Sequence, residues 1–325
     1  MRRTLEPRRR RIYGDRLKPL MRFQISHKTR FEYDRPAYDS HNELRLQPWD
    51  RATQNCLEFE LASTPAGAIA TYTDFFGNHG HALSITEPHQ ALTIVARSVV
   101  AIAPVVRAAY PEVPFSRFLS GDSDRGNQLF EFLGQSRYVP FSERLRKFFW
   151  MGARPRGAED VAEYVMRAVA YVRDQFEYET TKTHVHSNLN EILKSGGGVC
   201  QDFAHLTIGL LRLAGVPARY VSGYLAPAIH ADGNTIGEQA SHAWLEAWLP
   251  GPGWTGFDPT HRCRTDERHL GVAIGRDYGD VPPIRGSYQS HGSKSLMRVD
   301  LSIAPAPEPD SAEEPSSVKS FQSQQ

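Results

Sequence analysis

The segment Ser195–Tyr224 constrains this chain more than any other. It reads Ser-Gly-Gly-Gly-Val-Cys-Gln-Asp-Phe-Ala-His, then an apolar run, a glycine–proline stop and a strand-like stretch. Three glycines bring the backbone to Cys200. From Gln201 to Ala214 the apolar residues fall nearly all round a helix: Phe203, Ala204, Leu206, Ile208, Leu210, Leu211, Leu213 and Ala214. A helix of that kind is buried rather than amphipathic. Gly215 supplies a left-handed stop and Pro217 blocks continuation. A cysteine is thereby placed at the N-terminus of a buried helix, where free N–H groups and the positive end of the helix dipole favour the thiolate. Such a thiolate serves as a nucleophile or as a metal ligand.

The helix needs surroundings, and the chain supplies them in two parts. From Phe23 the pattern has period two, with Phe23, Ile25, His27, Thr29, Phe31 and Tyr33 on one face of a long half-buried strand. Strand-like runs follow at 42–46, 57–61, 69–73, 81–86 and 92–102, with Asp74–Asn78 as a turn. Residues 21–110 therefore read as a β-rich, sandwich-like N-terminal domain, and 111–157 as a linker and packing segment with a short helix near 143–150. Val161, Tyr164, Val165, Ala168, Val169 and Val172 recur at helical spacing, predicting an amphipathic helix over 158–174. A short helix over 188–194, capped by Ser187, precedes the glycine loop. Strands are expected at 219–225, 240–249, 254–258 and 296–303, with turns at Asp232-Gly233 and Pro250–Gly253. The fold class is α+β, with residues 158–303 as the second domain. Residues 1–20 carry Arg8–Arg11 and almost nothing apolar, and 304–325 are rich in Pro, Glu and Ser. Both are expected to be disordered, with Met21 as a candidate natural start.

Charge and cysteine usage narrow the function. A net charge of +1 and a pI near 7.8 give no global field toward nucleic acid or a membrane surface. Three cysteines are too few for a disulfide framework and suit a reducing compartment. The most apolar run, 91–106, is too short to span a bilayer and is broken by Arg97, and the basic N-terminus lacks an apolar signal region. The expectation is a cytoplasmic protein without membrane or nucleic-acid partners.

Three residues have settings suited to one chemistry. Cys200 opens the buried helix. His242 opens one strand of an expected hairpin, and Asp258 ends its partner, just before Pro259. The hairpin brings those ends together, so the carboxylate can orient the imidazole while the other ring nitrogen pairs with sulfur. This is the nucleophile–base–orienter logic of thiol acyl transfer. The Cys200 N–H is the first oxyanion donor. Gln201 and Tyr178 are candidates for a second, and Trp244 for substrate contact.

The same stretches carry a resemblance. Gly-Val-Cys-Gln-Asp-Phe-Ala-His, the run Gly215–Tyr224, Ser241-His242-Ala243-Trp244, Gly256-Phe257-Asp258-Pro259-Thr260 and Gly275–Pro283 are similar to the bacterial transglutaminase-like proteins. Residues 22–110 resemble the N-terminal β-domain that accompanies that core. The resemblance implies a papain-like core, in which a buried helix carries the cysteine against an antiparallel sheet, and a Cys200–His242–Asp258 triad. The resemblance leaves protease, amidase and transglutaminase chemistry open. The expectation is acyl transfer on an amide of a peptide or protein without cofactor or metal, with hydrolysis slightly favoured because nothing identifies a dedicated amine channel. A non-catalytic scaffold that holds a peptide in the cleft is the alternative.

Other residues have plainer readings. Asp202 in the first helical turn is a dipole partner. His184 and His186 are loop residues rather than metal ligands, and His205 packs beneath the site. Trp248 and Trp254 are core residues of the hairpin. Asp277 and Tyr278 follow the triad in a loop that either packs or meets substrate. Cys56 is a surface or edge thiol. Cys263, flanked by Arg262 and Arg264, is the rival for a reactive cysteine.

Overall fold

The computed structural model describes residues 20–105, 111–120, 129–179, 189–229, 235–236, 240–292 and 294–306. The expected leader, most of the tail, Ser187, the His184/His186 pair and the Asp232-Gly233 turn lie outside those residues.

The first domain is organised by one strand. β1 (Met21–Leu44) runs for 24 residues and serves two sheets. Its first half lies between β5 (His89–Ile102) and β16 (Ser295–Pro305), and its second half between β4 (His79–Ile85) and β15 (Ile284–Gln289). β2 (Gln54–Thr64) extends the first sheet beyond β5, and β3 (Ala68–Thr73) extends the second beyond β4. The register with β5 shifts between Glu32 and Ala37, around Pro36, which has no N–H to give a ladder. Phe23, Ile25, His27 and Thr29 are buried, as the alternation requires. Between the two sheets lie Leu44, Leu83, Leu92 and Ile94, with Phe31, Phe59 and Leu61 packed against them.

Two expectations about this domain need correction. The run at 42–46 is no separate strand: all but its last two residues continue β1. The strand at 296–303 does not belong to the second domain, because β15 and β16 return to β1. A strand of that length has ladder groups to satisfy on both edges, and the C-terminal strands satisfy them.

The second domain places an antiparallel sheet under the cysteine helix. Its strand order is β13 (Cys263–Arg264), β12 (Gly253–Asp258), β11 (Ala240–Leu249), β8 (Ala218–Leu225) and β14 (His269–Gly275). Short pairs complete the strands: β6 (Glu177–Tyr178) runs parallel to β7 (Gly197–Gly198), and β9 (Ala228–Ile229) pairs with β10 (Thr235–Ile236). Among the described residues the helices include α1 (Phe115–Ser120), α2 (Glu143–Phe148), α3 (Val161–Gln175), α4 (Leu189–Ser195) and α5 (Cys200–Leu213). Asp160 caps α3 by accepting the N–H groups of Ala162 and Glu163. α5 packs on β11 and β8, with α2, α3 and α4 around it, and is buried from Gln201 to Arg212. Gly215 ends it with a φ of +82°. Residues of the 111–157 segment join the same core, among them Phe115, Val139 and Leu145.

The first domain covers the sheet face opposite α5. Trp49 and Phe76 pack on Val221, Trp244 and Ile274, so β8 is buried on both faces. Two carboxamides then complete the outer edge of β14. Gln54 Nε2 donates to the Gly271 carbonyl and its Oε1 accepts the Gly271 N–H, both at 2.8 Å. Asn78 makes the same pair with Ile274, at 2.7 and 2.8 Å. Each side chain stands in for a neighbouring strand, so the edge is neither unpaired nor open to another chain. Asn78 is itself held by Asp74, the first residue of the expected turn.

Candidate active site

Glycine geometry delivers Cys200. Gly196 has a φ of +73°, which ends α4. At Gly198 a Cβ would lie 2.6 Å from Asp202 Oδ2, which accepts the Val199 N–H at 2.9 Å. Only glycine allows that approach. That bond, with the Asp202 N–H returning to the Val199 carbonyl at 2.9 Å, fixes the turn preceding Cys200, the first helical residue, whose N–H has no acceptor within the helix. Asp202 thus acts at the helix terminus, as its position in the first turn suggests.

The hairpin delivers the other two groups. In the β11–β12 register Leu245 faces Phe257 and Leu249 faces Gly253, which brings His242 and Asp258 to one end. His242 Nε2 donates to Asp258 Oδ2 at 2.8 Å, leaving Nδ1 for the sulfur. Burial disfavours the imidazolium, but hydrogen bonds to Asp258 and Cys200 outweigh it and push the ring up to about 10. Asp258 has no exposed surface. Burial opposes its charge too, yet hydrogen bonds from His242, His261 and His269 hold its carboxyl well below the usual range. Its Oδ1 accepts the Thr260 N–H at 2.8 Å. Cys200, His242 and Asp258 therefore form a continuous chain of contacts.

The remaining candidates take different positions. Tyr178 is opposite Gly198 in the β6–β7 pair, packs on Phe203 and is 46% exposed. Gln201 is buried within α5. Trp244 is buried edge-on to His269 and beside His242, where its ring serves packing. Among the described residues, a cavity of about 570 Å³ opens beside the glycine loop, lined by Arg173, Phe176, Glu177, Ser195, Gly196 and Arg262. His205 is neutral, pushed by burial down to about 4, and its Nε2 accepts the Tyr278 N–H at 3.1 Å. It stacks on Tyr138 and pins the 277–280 turn to α5. Cys263 pairs across the ladder with Asp258, and its thiol sits near that carboxylate and the His269 ring. Burial pushes the Cys56 thiol up to about 11.

Two histidines on Asp258 escaped the sequence reading. His261 Nδ1 donates to Oδ2 at 2.7 Å and His269 Nε2 at 3.1 Å. His261, three residues past Asp258, was within local reach; His269, eleven residues on, carried no local signal.

With the fold and these contacts in place, the comparisons with known proteins converge. Residues 23–101 match the bacterial transglutaminase-like N-terminal region, and 152–259 match the transglutaminase-like superfamily core. The chain belongs to the transglutaminase-like superfamily. It is 34% identical to an uncharacterized protein of Mycobacterium leprae, over 85% of this chain and 96% of that one. It is 35% identical to a protein-glutamine gamma-glutamyltransferase of Pseudomonas aeruginosa over 77 residues, which are 23% of this chain and 12% of that protein. A solved structure from Cytophaga hutchinsonii, suggested to be a cysteine protease, superimposes with a TM-score of 0.68 at 21% identity, over 90% of this chain and 93% of that one. The superfamily and this fold support papain-like cysteine acyl transfer as the broad chemistry.

Proposed function

We propose that this protein is a cysteine-dependent enzyme that breaks or transfers an amide of a peptide or protein, using Cys200, His242 and Asp258. The observation that carries the proposal is the contact chain from Asp258 through His242 to Cys200, ending at a helix N-terminus. His242 takes the thiol proton, and the Cys200 sulfur attacks the substrate carbonyl to give a tetrahedral oxyanion, with the Cys200 N–H as one donor. Collapse to the thioester breaks the C–N bond, and His242 returns the proton to the leaving amine. Water or a second amine then attacks the thioester, His242 accepts its proton, and the thiol is restored. Asp258 keeps the ring oriented throughout. Tyr178, exposed beside the glycine loop, is proposed to contact substrate. Three free cysteines support a reducing, cytoplasmic setting.

The test uses a glutamine-containing protein with and without a primary amine, read by mass. Amine addition identifies transamidation, a gain of about one dalton identifies deamidation, and shortened products identify proteolysis. All should vanish in Cys200→Ala. Peptide binding that survives in that variant, with no acyl-enzyme formed by the wild type, would instead support a scaffold.

A further inference from the structure

Asp258 Oδ2 has a further buried partner besides His242. His269 opens β14, its side chain is 1% exposed, and its two ring nitrogens face two carboxylates. Nε2 lies 3.1 Å from Asp258 Oδ2, and Nδ1 lies 2.9 Å from Asp266 Oδ1. An anionic oxygen facing each ring nitrogen favours a proton on both. The Asp266 N–H also has hydrogen-bond geometry to Nδ1, at 3.1 Å, a bond that the neutral ring would accept, but the carboxylate oxygen is nearer. The ring lies buried between two carboxylates that favour its cationic form. Arg268 bonds the other oxygen of Asp266 at 3.0 Å and helps keep it ionised.

We propose that His269 is a positioning residue of the acyl-transfer site, a buried cation that braces Asp258 at the oxygen that holds His242 and so sets how Asp258 orients it. The inference rests on the reading of Cys200, His242 and Asp258 given above. Asp258 Oδ2 takes both the His242 and the His269 donors, and a carboxylate held by two fixed rings cannot rotate away from either. The exposed His261, 45% of whose side chain meets solvent, gives a third donor that is free to leave. His269 is not free: Trp244 meets its ring edge-on at 5.3 Å, and β14 is clamped by Gln54 and Asn78 of the first domain. The groups facing His269 are Asp258 from β12, Asp266 from its own turn, the Cys263 thiol from β13 and, with ring centroids 6.1 Å apart, His242 from β11. Two carboxylates outweigh burial and hold its pKa above the ordinary value.

The readout is iodoacetamide labelling of Cys200 against pH, followed by peptide mass spectrometry on the full chain, with a thermal melt of each variant. His242→Ala should move the labelling midpoint close to that of an ordinary thiol, about 8.5. His269→Ala should move it part of the way, slowing labelling near pH 6 by roughly tenfold. His269→Gln keeps a donor toward Asp258 without the charge and should recover only part of the loss. Asp266→Asn, which removes the partner that keeps the second proton on His269, should fall between wild type and His269→Ala. If His269→Ala does not fold, Asp266→Asn carries the test. Profiles of His269→Ala or Asp266→Asn that superimpose on wild type while His242→Ala collapses would overturn the positioning role alone. A wild-type profile already matching His242→Ala would overturn the acyl-transfer reading itself.

Discussion

The interior around α5 and the interior of the first domain are built from the same residue types to different ends. α5 is enclosed on every side, with Phe203, Leu206, Ile208, Leu210 and Leu211 fully buried. The first domain shares its apolar load between complete burial, as at Leu83 and Ile94, and half-buried residues such as Phe31 and Phe59. The difference is that the chemistry sits on the end of the least deformable element, while the first domain acts at a distance. It meets the second through Trp49, Phe76, Gln54 and Asn78 on the sheet face away from α5, and through Phe23, Ile25, Val100 and Ile102, which join the core around α5. One region fixes the nucleophile, and the other fixes the strand that backs Asp258.

Substitutions separate these roles. Cys200→Ala should lower turnover by several orders of magnitude and change the melting temperature little, because the gain of a good helix former offsets the loss of a half-buried thiol and its bond to His242. Phe203→Ala should cost about 3–5 kcal/mol in denaturant unfolding, since the enclosed helix cannot collapse on the cavity. Asn78→Ala should cost about 1–3 kcal/mol by leaving the Ile274 N–H and carbonyl unpaired, and should lower turnover through β14. Phe59→Ala, at the half-buried interior, should cost about 1 kcal/mol and leave turnover alone. Equal losses at Phe203 and Phe59 would erase the contrast.

Proton linkage sharpens the same contrast, because His242 titrates in the second domain alone. Folding raises its pKa from 6.5 to about 10, so the folded chain binds that proton more tightly. The resulting stabilisation is complete below pH 6.5 and is lost as pH rises through about 10. Turnover should fall over the same alkaline limb, because neutral His242 has no proton for the leaving amine. Labelling of Cys200 should not fall there, because alkylation needs only the thiolate. A pH titration of unfolding and turnover, repeated with His242→Ala, checks both signs.

Much of this was legible in the sequence, for physical reasons that also mark its limits. The α5 helix announces itself by apolar residues all round, and β1 by six alternating positions. Cys200, His242 and Asp258 follow from a helix start and the two ends of a hairpin. β14 escaped because its run, Leu270–Ile274, is buried on both faces and shows no alternation. His269 escaped with it: nothing local says that a histidine eleven residues past Asp258 returns to the same oxygen. The return of β15 and β16 to β1 is equally non-local, set by an edge nearly three hundred residues upstream in the case of β16.

The most direct measurement is the pH profile of iodoacetamide labelling for all three cysteines in one wild-type sample, with Cys56 and Cys263 as internal references. If the contact chain activates Cys200, it labels rapidly well below pH 8.5, the ordinary thiol value, and ahead of both other thiols, and this lead disappears in His242→Ala. A Cys200 that labels no faster than Cys263, or that is indifferent to His242, would contradict the account.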